Sequence, residues 1–314
     1  MAHVTLRQLG YFDALARHSH FGRAAAACAI SQPALSMQIK ELEESLGAVL
    51  IERGARQLRL TKFGEEAALR VRDILRSVDE LGDFARASRD RLAGRLRIGM
   101  IPTIAPYLLP TLMAKLTRMH PELDIHVREA LTSKLIQELA EGRLDTAIVA
   151  LPVSEPSLTE VALFAENFLL VRPGKDEGTP APSSERLREM RLLLLEEGHC
   201  FREQALSFCN TQSALPREVL DASSLSTLVQ MVGAGMGVTL IPEMAVAVET
   251  RSASVSVARF RKPQPSRTIG MIWRKTSPLA AQLVQISEVV RRSAGAARKQ
   301  TTPARNPRKS ATLS

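Results

Sequence analysis

The chain has 314 residues, of which 45% are hydrophobic, 24% charged and 4% aromatic. This composition is typical of a soluble globular protein with more than one domain, and it excludes a fibrous or intrinsically disordered chain. No apolar run reaches the ~18 residues needed to cross a bilayer, and the first 20 residues lack the apolar stretch of a secretion signal. We therefore expect a cytoplasmic protein without a membrane partner.

The net charge of +9 does not by itself indicate a nucleic-acid partner, because much of it lies at one end of the chain. Residues 291–314 contain seven lysines and arginines and no acid, which leaves +2 for the other 290 residues. Evidence for DNA binding must therefore come from a specific element in the folded part of the chain.

The N-terminal residues predict three helices. Thr5 can cap the first helix, the second covers residues 21–28, and Ser31 can cap a third helix that has Pro33 in its first turn and ends near Gly47. The third helix is expected to point four apolar residues inward: Leu35, Ile39, Leu42 and Leu46.

A different pattern begins after these helices. Residues 58–61 predict a short strand, and Thr61 opens a long helix of mixed charge that suits a connector or dimerising arm. From residue 95 strands alternate with helices, which favours a mainly parallel sheet covered on both faces. The predicted helices are 105–119 and 133–141, and the predicted strands are 96–101, 123–129, 146–151, 168–172, 191–195, 238–241, 255–258 and 268–273.

The third helix presents polar side chains that are able to contact DNA. A helix that follows a tight turn can lie in the major groove with its first turn against the base edges. Glutamine can form two hydrogen bonds with adenine, whereas serine, lysine and arginine mostly hold phosphate. The outward donors and acceptors are Ser31, Gln32, Ser36, Gln38 and Lys40. An ordinary helical hairpin with a solvated polar face fits the pattern alone equally well.

Several short motifs carry a family resemblance. They are Phe21-Gly-Arg-Ala-Ala25, Ser31-Gln-Pro-Ala-Leu-Ser36, Leu46-Gly47 and Leu60-Thr-Lys-Phe-Gly64. The chain up to about residue 293 resembles the LysR-type regulators. That resemblance implies an α/β protein in which a winged helix-turn-helix and a linker helix precede an effector domain of two α/β lobes, similar to type 2 periplasmic binding proteins.

The resemblance also implies partners and a DNA-binding surface. Double-stranded promoter DNA, RNA polymerase and further copies of the chain, as a homodimer or homotetramer, are the expected partners. Arg53 and residues 54–57 are expected to form the wing. The expected DNA-binding residues are Arg23, Ser31, Gln32, Pro33, Ser36, Gln38, Lys40 and Arg53.

The predicted domain boundaries follow from these patterns. Residues 1–62 form the winged helix-turn-helix domain and residues 63–93 the linker helix. Residues 94–293 form the effector domain, with one lobe from 94–167 and 268–293 and the other from 168–267. Residues 294–314 are expected to be a basic disordered tail.

Cys200 and Cys209 are the residues most suggestive of chemistry. His199 and Arg202 lie close to Cys200 in sequence, and a cationic neighbour favours the thiolate that attacks peroxide, whereas Glu203 opposes it. If residues 200–209 were one helix, the two Cα atoms would be ~13.5 Å apart. A disulfide needs ~4.4 to 6.8 Å, so forming one from a helix requires local unwinding.

Spacing alone leaves two other interpretations of this pair, as buried structural thiols or as metal ligands. Metal binding is disfavoured because no second cysteine or histidine pair with ligand spacing accompanies them. The segment from Gly198 to Cys209 is also similar to the redox segment of the peroxide-sensing members of the family. That resemblance implies that Cys200 reacts with peroxide and Cys209 resolves the product as a disulfide. Cys28, in an alanine-rich helix, is interpreted as packing.

A peroxide pocket is implied by the same resemblance. Its expected members are Thr103, Thr132, His199, Arg202 and Arg267. Hydroxyl and imidazole groups at such positions can orient peroxide and protonate its leaving oxygen. For each residue a capping threonine or a surface arginine remains the alternative. No cofactor and no metal are expected.

The leading interpretation is therefore a peroxide-sensing activator of oxidative-stress genes, which is not an enzyme. It would be switched by a Cys200–Cys209 disulfide and returned by a thiol reductant such as glutaredoxin or thioredoxin. The alternative is a regulator of the same family that responds to a small organic coinducer bound between the lobes, with the cysteines incidental. A thiol peroxidase is disfavoured because it leaves the first ninety residues without a role.

Overall fold

The computed structural model describes residues 4–52, 58–87, 93–208 and 220–300. The chain divides into two compact units, Met1–Ala85 and Arg86–Ser314, and each has its own hydrophobic core.

The first unit is built from helices whose ends follow the capping residues in the sequence. Thr5 and Gln8 form a capping box at the start of the first helix. The Ser31 side chain accepts from the backbone N–H of Ala34, and Gly47 adopts the left-handed conformation that ends the third helix. The elements are α1 Leu6–His18, α2 Phe21–Ala27, α3 Gln32–Leu46, β1 Ile51–Glu52, β2 Arg59–Leu60 and α4 Lys62–Ala87.

The core of this unit packs α1, α2 and α3 around Phe12, Leu15 and Leu35, which are fully buried. Leu46 is 38% exposed and so does not join the inward residues Leu35, Ile39 and Leu42, contrary to the predicted pattern. It is the last residue of α3, at the point where Gly47 turns the chain away.

Gly64 in α4 lies against the backbone of Leu50, the residue before β1. A Cβ at Gly64 would lie 2.1 Å from the Leu50 carbonyl oxygen, so only glycine fits there. The buried Glu43 carboxylate accepts from the backbone N–H groups of Leu50 and Ile51 at 2.8 and 3.2 Å. The turn after α3 is thereby fixed to the start of the long helix.

The second unit contains nine strands and seven α-helices within its described residues. In chain order they are β3 Gly94–Met100, α5 Ala105–Met119, β4 Leu123–Glu129, α6 Thr132–Ala140, β5 Thr146–Leu151, β6 Leu158–Pro173, α7 Ser184–Glu189, β7 Leu193–Leu195, α8 Cys200–Phe208, β8 Leu220–Ala222, α9 Leu225–Gly233, β9 Thr239–Pro242, α10 Val246–Glu249, β10 Val255–Ala258, β11 Ser266–Arg274 and α11 Ala280–Gln300.

The main sheet of this unit is mixed, and the prediction of a mainly parallel sheet was wrong. β3 pairs in parallel with β4 and β5, whereas β11 pairs antiparallel with both β5 and β6. β6 also pairs antiparallel with β9 and β10. Strand–helix alternation predicted the parallel part correctly, but the return strands β6 and β11 come from distant positions in the chain and reverse the direction.

The long strand β6 joins the two lobes of the unit. Its pairing partner changes from β11 at Asn167 to β9 at Phe168. The prediction of a strand at 168–172 covered only the second half of β6, which begins at Leu158. The first lobe contains β3, β4, β5, β11 and the first half of β6; the second contains β7, β8, β9, β10 and the rest of β6.

The final helix α11 continues to Gln300, whereas the sequence pattern placed the start of a disordered tail at residue 294. Residues 301–314 lie outside the described part of the chain. Among the helices of the described residues, none combines the length and the apolar character needed to cross a membrane.

Candidate functional site

The polar face of α3 is exposed in the first unit. Gln32, Ser36 and Lys40 are exposed and spaced four residues apart, so they form one stripe, while the neighbouring Leu35 and Ile39 are buried. Ser31 and Pro33 are also exposed at the start of the helix. The first turn of α3 therefore offers the side chains that a major-groove helix needs.

The other predicted DNA-binding residues differ in their surroundings. Gln38 is half-buried and donates to the Glu41 carboxylate at 2.7 Å. Arg23 is exposed on α2, and its backbone N–H donates to the His20 ring at 3.3 Å. Arg53 and the predicted wing at 54–57 lie outside the described residues.

Cys200 is the first residue of the nine-residue helix α8. Gly198 precedes it with a φ of +90°, a conformation that glycine adopts easily, and the turn it makes leads directly into His199 and Cys200. Cys200 is half-buried and free. Cys209 lies outside the described residues.

Cys28 differs from Cys200 in its surroundings. Burial raises the pKa of the Cys28 thiol, and the nearby Arg17 only partly opposes this, so the reactive thiolate is disfavoured. Cys28 packs on the core of the first unit. No group of three or more possible metal-ligating side chains occurs within the ranges described.

A cleft of about 330 Å³ lies in the second unit between residues of both lobes. From the first lobe it is lined by the turn after β3, by α5 and by the residues after β4; from the second lobe it is lined by His199, by a run of serines before α9 and by α10. The lining residues are Pro102, Thr103, Pro106, Tyr107, Glu129, Ala130, Leu131, Leu195, His199, Ser223, Ser224, Leu225, Ser226 and Glu249.

His199 lines this cleft, where burial favours the neutral form of its ring. Burial lowers the pKa of its imidazole, and the Glu196 carboxylate opposes this more weakly. A neutral imidazole can donate with one ring nitrogen and accept with the other. The role expected for His199 beside Cys200 stays a prediction, and the structure places the residue in the lining of the cleft.

Thr103 lines the cleft and accepts two hydrogen bonds from Arg267. The guanidinium of Arg267 donates from Nη1 to the Thr103 hydroxyl at 2.8 Å and from Nη2 to the Thr103 carbonyl at 3.1 Å. The Arg267 side chain is fully buried and pairs with the buried Glu166 carboxylate at 2.8 Å. Its guanidinium carbon also lies 5.5 Å from the centre of the Phe201 ring. Arg267 is thus a support for Thr103 and is not among the residues lining the cleft.

Thr132 and Arg202 are placed differently from Thr103 and His199. Thr132 begins α6, next to the cleft residue Leu131, and its buried hydroxyl oxygen has no hydrogen-bond partner within the described part of the chain. Arg202 is turned toward its own lobe, where it donates to the Leu195 carbonyl at 2.8 Å and pairs with Asp221. It therefore ties α8 to β7 and β8.

Sequence reasoning missed three polar residues of the cleft. The Tyr107 hydroxyl and the Ser226 hydroxyl each donate to the Glu249 carboxylate at 2.6 Å. Burial and the bond to Glu249 raise the pKa of Tyr107 far above its ordinary value, so the phenol stays protonated. Tyr107 and Glu249 lie 142 positions apart, and no spacing in the sequence signals their pairing.

Comparisons with known proteins agree with this architecture. Residues 6–65 match the family described as bacterial regulatory helix-turn-helix protein, lysR family, and residues 89–295 match the LysR substrate binding domain. The chain belongs to the LysR family of helix-turn-helix regulators. The sequence resemblance to that family is confirmed, as is the arrangement of a helix-turn-helix followed by a two-lobed α/β effector domain.

Individual relatives cover nearly the whole chain. The DNA-binding transcriptional dual regulator OxyR of Escherichia coli K12 is 40% identical over 292 residues, covering 92% of this chain and 95% of that protein. Full-length OxyR from Pseudomonas aeruginosa with one cysteine replaced by aspartate has a TM-score of 0.72 at 35% identity, covering 92% and 95%. A hydrogen-peroxide-bound cysteine-to-serine mutant of OxyR from Corynebacterium glutamicum has a TM-score of 0.67 at 33% identity, covering 95% and 94%.

Proposed function

We propose that this LysR-family regulator senses hydrogen peroxide through Cys200 and converts the oxidation into a change in transcription of oxidative-stress genes. The observation that carries the proposal is the position of Cys200 at the N-terminus of α8, directly after His199, which lines the same cleft as Thr103. The likeness to OxyR proteins, one of them described with hydrogen peroxide bound, supports the choice of peroxide as the signal.

The chemistry begins with the Cys200 thiolate. Its sulfur attacks one peroxide oxygen, an S–O bond forms as the O–O bond breaks, and the sulfur gives up two electrons. The second oxygen leaves as hydroxide and becomes water when it takes a proton. The Thr103 hydroxyl and the neutral His199 ring are the cleft groups suited to donate to that oxygen. The product is a sulfenic acid on Cys200.

A disulfide with Cys209 is the second step. The Cys209 thiolate attacks the sulfenic sulfur, an S–S bond forms, and the S–O bond breaks to release hydroxide, which is protonated to water. Two electrons from a thiol reductant such as glutaredoxin or thioredoxin reverse the change.

In this proposal the disulfide acts as a conformational switch, because the length of α8 opposes it. Cys200 and Phe208 are the two ends of one helix, so their Cα atoms are ~12 Å apart. A disulfide spans at most ~6.8 Å between Cα atoms, and the next residue after Phe208 is ~3.8 Å away along the chain. Because these two lengths together fall short of ~12 Å, joining Cys200 to Cys209 requires α8 to lose part of its helix. The Arg202 contacts with Leu195 and Asp221 hold the N-terminal half of α8 and would oppose unwinding that begins there.

The first unit supplies the DNA contacts in this proposal. The stripe of Gln32, Ser36 and Lys40 on α3 faces promoter DNA. Arg23 and Arg53, the latter expected in the wing, contact the phosphate backbone of that DNA. The linker helix α4 exposes Ile74, Val78 and Leu81 at 45%, 42% and 68%, spaced as the seam of a helix pair. A second copy of the chain is the partner that we propose for this seam, in a dimer or tetramer that recruits RNA polymerase in the cytoplasm.

The proposal is tested by substituting the two described cysteines one at a time. Cys200→Ser removes the nucleophile and is expected to abolish the change in promoter footprint and transcript level after peroxide, while leaving DNA binding by the reduced protein intact. Cys28→Ser is the matched control, because its thiol is held in the unreactive form, and it is expected to respond as the wild type does. An unchanged peroxide response in Cys200→Ser overturns the proposal.

A second candidate function is regulation by a small organic coinducer. The observation that favours it is the size of the cleft together with the hydrogen-bonded Tyr107, Ser226 and Glu249 in its lining. The two functions differ in thiol count, because the coinducer mechanism predicts that low peroxide leaves the free thiols of the chain unchanged, whereas the peroxide mechanism predicts a loss of two.

A further inference from the structure

A buried carboxylate lies behind the candidate peroxide cleft and has no part in the chemistry above. Glu166 is 1% exposed, on the half of β6 that pairs with β11. One of its oxygens accepts from the backbone N–H of Met244 at 2.9 Å, and the other accepts from Nε of Arg267 at 2.9 Å. Glu166 therefore connects Met244, which follows β9 of the second lobe, to Arg267, which supports Thr103.

The arrangement determines which way the Thr103 hydroxyl donates. Arg267 has only donors, so its Nη1–H occupies a lone pair of the Thr103 oxygen. The single proton of that hydroxyl is then directed away from the guanidinium. No acceptor for it is found among the residues that the structure describes, and Thr103 lines the cleft. The hydroxyl is thereby left as a donor to a molecule in the cleft.

The position of Arg267 depends on Glu166. The guanidinium lies 5.5 Å from the centre of the Phe201 ring, and its charge is balanced in this buried place by the Glu166 carboxylate. A glutamine at 166 keeps the shape and one acceptor, but its amide nitrogen would oppose either the Met244 N–H or the Arg267 Nε–H, donor against donor. Both orientations remove the carboxylate charge that holds the guanidinium, and the one that faces Arg267 also repels its Nε–H, so the bond to the Thr103 hydroxyl would be weakened.

We propose that Glu166 is a positioning residue for the reaction of Cys200 with peroxide: by fixing Arg267, it sets the Thr103 hydroxyl as the proton donor to the leaving oxygen. This inference rests on the proposed function. Glu166 does not touch the reacting atoms and acts only through Arg267 and Thr103.

The test compares two reactions of the same thiol. In a full-length chain with Cys28→Ser and Cys209→Ser, Cys200 is the one remaining thiol, and its rate constant is measured with hydrogen peroxide and with iodoacetamide. Both reagents need the thiolate, but iodide leaves without a proton, so only the peroxide reaction uses the Thr103 donor. E166Q is expected to lower the peroxide rate constant by about tenfold or more, because a positioned proton donor contributes roughly 10²- to 10⁴-fold and E166Q misdirects it without removing it, and to leave alkylation within about twofold.

Two further variants separate positioning from a general loss of structure. Asp145→Asn breaks another buried ion pair of this unit, with Arg97 at 2.7 Å, and is expected to leave the ratio of the two rate constants unchanged. In the Thr103→Val background, E166Q is expected to have no further effect on that ratio, because its effect passes through the Thr103 hydroxyl. If E166Q does not fold, Arg267→Lys takes its place, since one ammonium cannot hold Glu166 and both Thr103 oxygens.

The outcomes distinguish the inference from the function on which it depends. A ratio that falls equally in E166Q and D145N, or an E166Q effect that persists beside Thr103→Val, overturns the role of Glu166 while Cys200 remains a peroxide sensor. A Cys200 that reacts with peroxide no faster than a small free thiol overturns the proposed function itself, whatever residue stands at 166.

Discussion

The Thr103 hydroxyl oxygen lies 2.8 Å from Nη1 of Arg267, although 164 positions separate the two residues in the chain. Strand β11 brings Arg267 beneath the turn that follows β3, where Thr103 faces the cleft between the lobes. This contact fixes the direction of a hydroxyl in the cleft that is also lined by His199, the residue before Cys200. The proposed reaction with peroxide requires that the Thr103 hydroxyl is oriented before peroxide binds.

The first prediction concerns the packing of Gly64 in the first unit. Gly64→Ala is expected to destabilise that unit by about 2–3 kcal/mol, because its Cβ would lie 2.1 Å from the Leu50 carbonyl oxygen and the backbone must move. Urea unfolding followed by circular dichroism measures this loss. Gly10→Ala in α1 is the control: its Cβ would meet nothing within 4 Å, and it is expected to be neutral or to stabilise by up to about 1 kcal/mol. Equal effects of the two substitutions would contradict the packing argument.

The second prediction concerns the charge of His199. Because burial lowers the pKa of His199 below its ordinary value of 6.5, the unfolded chain binds a proton at this residue more readily than the folded protein does. Its contribution to stability is therefore full above pH 6.5 and is lost as the pH falls from 6.5 toward the lowered pKa. Titration of the His199 ring by NMR is expected to show a midpoint below 6.5.

Glu196 supplies the internal check on that titration. Its carboxylate raises the pKa of His199 in opposition to burial, so Glu196→Gln is expected to move the midpoint to still lower pH. A midpoint at or above 6.5 in the wild type, or an upward move in the variant, would show that burial does not control this imidazole.

The third prediction concerns the contacts that hold α8. Asp221→Asn removes the charge that pairs with Arg202, and the disulfide step after sulfenic acid formation is expected to become up to about fivefold faster, because Asp221 is 40% exposed and such pairs contribute about 0–1 kcal/mol. Stopped-flow detection of disulfide formation gives the rate. Glu203→Gln, an exposed charge change on the same helix, serves as control and is expected to leave it unchanged. A slower step in Asp221→Asn would mean that the ion pair does not restrain α8.

The fourth prediction separates the roles of two residues on α3. Gln32→Ala is expected to weaken binding to the promoter site by about 1–3 kcal/mol and to relax its sequence preference, because Gln32 lies in the first turn, where base edges are reached. Lys40→Ala, about two helical turns further along, is expected to weaken binding to all sequences alike and to lower the salt slope by about 1. Fluorescence anisotropy with specific and scrambled duplexes measures both effects. If Lys40→Ala relaxed the sequence preference and Gln32→Ala weakened binding to all sequences alike, the proposed position of α3 in the major groove would be wrong.

Local signals in the sequence predicted much of the fold. Thr5, Ser31 and Gly47 set helix ends through contacts within a few residues, so their roles could be read directly. The strands 123–129, 146–151 and 255–258 have the predicted bounds, because each is a short apolar or alternating run between clear turns.

Long-range pairing is where prediction from the sequence failed. The antiparallel pairing of β6 with β11 joins residues 99 to 116 positions apart, and no local pattern distinguishes a returning strand from a parallel one. Long-range contacts in the candidate site could not be predicted from local patterns either. His199 and Thr103 could be named from a resemblance, but the pairing of Glu166 with Arg267 and of Tyr107 with Glu249 exists only in three dimensions. Arg202 lies two residues from Cys200 in sequence and is nonetheless committed to Asp221.

The central claim is that Cys200 and Cys209 become joined when peroxide oxidises the first of them. The most direct measurement is peptide mapping by mass spectrometry of the full-length chain, alkylated before and after a stoichiometric dose of hydrogen peroxide. The account predicts a cross-linked pair of peptides containing Cys200 and Cys209, two hydrogens lighter than their sum, with Cys28 alkylated throughout. Recovery of Cys200 and Cys209 as separate alkylated thiols after that dose would contradict it.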